Sequence, residues 1–104
     1  MKESDWKVFK EIKDKALDTY CKNILDESKK IISKDDKSAH NRYLKLYKHI
    51  KEKDQIIARL FNGHSRSKAW SQLYNIRQED LADESLLLKL SAEFLESTDP
   101  DRFD

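Results

Sequence analysis

The chain has 104 residues, of which 39% are charged, with 21 Lys and Arg set against 20 Asp and Glu. That length suits a single domain, and one glycine and one proline, where average usage would give about a dozen together, leave little to punctuate sheets or long loops. Ten aromatics and a net charge of +1 argue against a disordered polyelectrolyte.

The first predicted element is a helix over residues 5 to 33. Trp6, Phe9, Ile12, Ala16, Tyr20, Ile24 and Ile31 recur at steps near three and four, with Leu17 and Leu25 beside the stripe and Ser4 or Asp5 as N-cap. Charges interrupt every short apolar run of the opening MKESDWKVFKEIKDK, so no signal-peptide core is expected there. The polar run Ser33 to Ser38 then breaks the pattern with residues suited to turns and caps. Apolar positions resume at Ala39, Tyr43, Leu46, Tyr47, Ile50, Ile57 and Phe61, predicting a second helix over 39 to 62, with Gly63 at a left-handed position beyond its end.

A third, shorter helix is predicted after Ser65 or Ser67, with Ala69, Trp70, Leu73, Tyr74 and Ile76 on its buried side. The acidic run Gln78–Asp80 and the pair Asp83–Glu84 favour a further helix start, because carboxylates complement the positive end of the helix dipole. Leu86, Leu87, Leu90, Phe94 and Leu95 supply its apolar face, with a break at Ser91, and residues 97 to 104 read as a frayed tail. The expected fold is all-α: a small bundle of two long antiparallel helices plus two shorter C-terminal helices. A three-helix DNA-binding domain turning at Gly63 is the alternative, although the expected helix over 39 to 62 before that turn is long for the motif.

Several chemistries find no support. One glycine excludes Gly-rich phosphate loops and dinucleotide fingerprints. The lone Cys21 can form neither an internal disulfide nor a thiolate zinc site, which fits a reducing cytoplasm. His40, His49 and His64 have no metal-binding spacing and read as solvated, so neither a metal nor another cofactor is expected. The longest strongly apolar run, Leu86–Leu88, falls far short of the roughly 20 residues that span a bilayer. Asp54 falls on the apolar stripe of the second helix, between Ile50 and Ile57, and reads as a buried polar contact or, at a stretch, as an acid or base.

Charge is unevenly distributed. Residues 1 to 36 balance at nine basic and nine acidic, residues 37 to 77 carry ten basic side chains against two acidic, and residues 78 to 104 carry two against nine. Arg42, Lys45, Lys48, Arg59, Arg66 and Lys68 could contact phosphates, with Trp70 or Tyr74 as a stacking platform, and this segment 42 to 68 would then bind nucleic acid. If the acidic segment folds beside the basic one, the two offset each other, and the same residues become partner contacts. The chain then reads as a non-catalytic binding module for a protein partner or a copy of itself.

Overall fold

A computed structural model describes residues 1–103 and is all-α, with no strand among them. Its helices are α1 Glu3–Ile32, α2 Ala39–Phe61, α3 Arg66–Gln78, α4 Glu84–Leu87 and α5 Ala92–Ser97, followed by a short 3-10 turn, Pro100–Phe103. No helix of the described residues is long and apolar enough to cross a membrane.

The two long helices form an antiparallel hairpin, since Arg42 reaches the carbonyl of Ile32, His49 meets Glu27 and Lys53 lies over Tyr20. Ser38 starts α2 by accepting a hydrogen bond from the Asn41 N–H at 3.1 Å, the expected N-cap chemistry. The later elements pack against the base of this hairpin as a head. Phe9, Ile12 and Ala16 of α1 there meet Leu60 and Phe61 of α2, Ala69, Leu73 and Ile76 of α3, and Leu87 and Leu90. The extents of 53 × 26 × 22 Å and a radius of gyration of 16.9 Å exceed the ~13 Å radius of a compact chain of this length.

Polar side chains close the head where turn residues are scarce. Gly63, at φ +91°, turns the chain out of α2 in the region that favours glycine. The carbonyls left open at this turn are satisfied from other helices: Lys13 donates to Gly63 O, and Gln72 donates to Asn62 O at 2.6 Å. A cation near a helix C-terminus also complements the dipole. Burial lowers the Lys13 pKa from its ordinary value; Asp14 works against that shift and Lys68 adds to it.

Three local expectations need correction. Asp5 does not cap α1, whose N-cap position is Lys2 without a side-chain bond. Instead its buried carboxylate accepts hydrogen bonds from the Ser91 N–H at 2.7 Å and the Ser91 hydroxyl at 2.6 Å, while Ser91 caps α5 through the Phe94 N–H. The acidic run Gln78–Asp80 ends α3 instead of starting a helix, because Asp80 takes a left-handed φ of 56° and Leu81 N–H closes back on Ile76 O, a C-terminal closure more often built on glycine. The pair Asp83–Glu84 does start α4, with Asp83 accepting from the Leu86 N–H at 3.0 Å.

The third correction concerns residues 97 to 104, expected to fray: Ser97 and Thr98 are docked, Asp101 and Arg102 are exposed, and Asp104 lies outside the described residues. Thr98 is fully buried. Arg77 donates to Leu95 O at 2.6 Å and to the Thr98 hydroxyl at 3.0 Å, and the Trp70 indole N–H reaches Ser97 O at 3.2 Å.

Asp5→Ala leaves the partly buried Ser91 N–H without its acceptor and is expected to destabilise the fold by about 1–3 kcal/mol, read from urea melts, with hydrogen exchange accelerating first at residues 91 to 98. The Lys15 ammonium, then the Ser85 hydroxyl and the Leu86 N–H, hold the Asp83 carboxyl well below the usual carboxylate range. A depressed carboxylate contributes stability fully present above its unfolded value of about 4 and lost as pH falls through the folded one. Asp83→Asn should therefore flatten the decline of the urea midpoint below that pH.

Candidate protein-interaction surface

The hairpin extends beyond its head, and in that outer part it is two helices thick. The row of α2 turned to α1 is Arg42, Leu46, His49, Lys53, Ile56 and Leu60, all at least partly buried. Polar contacts lace it: Arg42 donates to Ile32 O at 2.7 Å, His49 Nε2 lies 2.8 Å from Glu27 Oε2, and the Lys53 ammonium sits 5.9 Å from the centre of the Tyr20 ring. His49 is thus half-buried and not solvated as expected, whereas His40 and His64 are exposed.

The expected stripe Tyr43, Tyr47, Ile50, Asp54, Ile57 and Phe61 lies one residue further along, about 100° around the helix. Its inner end, Ile57 and Phe61, joins the core. Its outer end is in water, with Tyr43 62%, Tyr47 59% and Ile50 42% exposed. Asp54 is exposed as well and is no buried contact. It borders a shallow groove of about 200 Å³ with Cys21, Ile24, Leu25, Ile50 and Ile57. That groove places Leu25, 62% exposed, on the same side of the hairpin as the tyrosine row. Ile32 on α1 extends the apolar surface and is also exposed, as is Leu44, which lies about 100° further round α2.

The basic residues do not form one surface. Arg66 makes a two-pronged ion pair with Glu3, at 2.7 and 3.0 Å, and lies over the Trp6 ring. Arg59 stands 3.7 Å from Glu79, and the Lys68 side chain runs beside Gly63. Arg42 and Lys45 lie at the opposite end, lining a groove of about 340 Å³ at the hairpin tip with Ile31, Lys34, Lys37 and Asn41; Lys48, one turn on, is exposed. Trp70, read as buried, is instead 42% exposed and stacks on Tyr74 with ring centres 5.4 Å apart, while its indole N–H is engaged by Ser97.

Charge is therefore separated along the molecule. Residues 22 to 54, the outer hairpin, carry ten basic and six acidic side chains, and the remainder carries eleven and fourteen. On the head, a groove of about 640 Å³ beside the exposed Leu88 is lined by Asp80, Glu84, Glu96, Asp99 and Asp101. Comparison with protein-family models, with curated proteins and with solved structures finds no match to this chain.

The division between core and surface along one stripe can be measured. Tyr47→Ser and Ile50→Ser are expected to shift stability by no more than about 0.5 kcal/mol, as exposed positions do. Leu60→Ala, at a fully buried site, should cost about 2–5 kcal/mol. A large loss at Tyr47 in the same urea melts would place the tyrosine row in the core.

Proposed function

We propose that this protein is a non-catalytic binding module that docks a protein partner through the apolar side of the α1–α2 hairpin. The observation that carries this reading is the clustering of Leu25, Ile32, Tyr43, Tyr47 and Ile50, five large exposed apolar side chains on one side of a short stretch of hairpin. Contiguous exposed apolar surface of this kind marks interaction sites, and tyrosine is enriched at interfaces because it combines a large apolar ring with a polar handle. Binding nucleic acid through residues 42 to 68 is the weaker reading: Arg59 and Arg66 face carboxylates, and Lys68 is far from Arg42 and Lys45 along the chain's long axis.

A photo-crosslinking amino acid at position 47 tests the proposal in cells that make the protein. Discrete adducts with protein are expected, lost on Ile50→Asp and absent when the probe stands at position 45, on the other side of the same helix. Equal labelling from 45 and 47 would count against the apolar face. Affinity for a mixed RNA or DNA pool should be no greater than that of a neutral control; steep salt dependence, with a log-log slope of about −0.7 to −0.9 per phosphate neutralised, would favour nucleic acid instead.

A further inference from the structure

The tip of the hairpin carries a second surface, away from the tyrosine row. Helical spacing sets Asn41 and Lys45 across α2 from Tyr43 and Tyr47. There a groove of about 340 Å³ is lined by Lys34 and Lys37 of the connecting loop and by Asn41, Arg42 and Lys45 of α2, with Ile31 as its one apolar wall. Lys34, Lys37 and Lys45 have no ion pair among the described residues. Residues 29 to 45 hold six basic side chains against Asp35 and Asp36, and neither carboxylate lines the groove. Four cations thus face one small space without a counter-charge.

Arg42 is held in place but incompletely satisfied. Its Nη1 donates to Ile32 O at 2.7 Å, whereas its Nε is shielded from water and has no acceptor. An unpaired buried donor is costly, and an oxyanion against the guanidinium would supply the acceptor. A guanidinium already fixed also loses little freedom when it binds.

Independently of the docking reading above, we propose that this groove binds a compact oligophosphate, an anion of two or three linked phosphate groups. Charge sets the number of groups, because one phosphate carries about −1.5 to −2 near neutral pH, no more than half of what four cations neutralise. Volume sets the upper limit. The groove lies at the lower end of the roughly 300–1,000 Å³ of small-molecule pockets, and Ile31 alone offers no platform for a base or an acyl chain. A groove of this size is also comparable in width to the ~8 Å over which physiological salt screens charge, so the four cations act together on one ligand.

Isothermal titration calorimetry of the intact chain with sodium tripolyphosphate at physiological ionic strength tests the inference. One ion per chain is expected, with amide chemical-shift changes confined to residues 31 to 45. Lys34→Ala, Lys37→Ala and Lys45→Ala should each weaken binding about three- to fivefold, as expected for single exposed charge contacts, with the helical circular dichroism unchanged. Lys89→Ala, exposed on the head, should leave the affinity as it was. Absence of binding at millimolar ion overturns the site, as do shift changes scattered over the other lysines or an equal loss on Lys89→Ala. Citrate binding as tightly as tripolyphosphate overturns the assignment to phosphate, and single-stranded RNA binding as tightly per phosphate overturns the assignment to a compact anion.

Discussion

The hairpin is longer than the head that covers it. A 30-residue α1 extends about 45 Å at 1.5 Å per residue, and the 13-residue α3 about 20 Å. The head-facing core row of α1 ends at Ala16. Beyond that level two helices can bury one row of each against the other, and any apolar side chain on another row stays in water. Leu25, Ile32, Tyr43, Tyr47 and Ile50 are exposed for this reason, and Asp54, drawn onto the same stripe by its spacing, is exposed with them.

The head depends on buried polar contacts because its apolar core is small. Most of them join separate elements: Asp5 holds Ser91, Lys13 of α1 and the nearer Gln72 of α3 hold the carbonyls of the α2–α3 turn, and Arg77 holds Leu95 and Thr98. Such groups are costly to bury unless paired, so each contact favours the one docking that satisfies it. Asp5 matters most in this respect. It connects the first turn of α1 to the N-cap of α5, and the last segment of the chain follows from where α5 begins.

The elements themselves were legible in sequence because helical periodicity and caps are local. The bounds expected for α1 and α2 fall within two residues of those observed, Gly63 turns left-handed as expected, and Ser91 breaks the C-terminal helix and caps the next. What could not be read locally was which row of α2 would face α1. The aromatic stripe has the stronger apolar signal, yet the buried row is the one carrying Arg42, His49 and Lys53, because their polar tips reach Ile32 O, Glu27 and the Tyr20 ring while their stems lie between the helices. The burial of Lys13, and the contact of the cap candidate Asp5 with Ser91, are hidden from local reading for the same reason. A charged residue beside an apolar stripe reads as solvated until its partner, 50 or 86 positions away, is known.

The uneven charge of the sequence resolves into an axial arrangement. Among the described ion pairs the acidic C-terminal part meets the basic middle at the head, where Glu79 stands by Arg59, while Asp83 pairs with Lys15 of α1 and Arg66 is paired from the N-terminus by Glu3. Lys45, Lys48 and Lys51 on the outer hairpin have no ion pair among the described residues. At physiological salt, charges are screened over about 8 Å, well below the 53 Å length of the molecule, so the basic tip and the acidic head are electrostatically almost independent of each other.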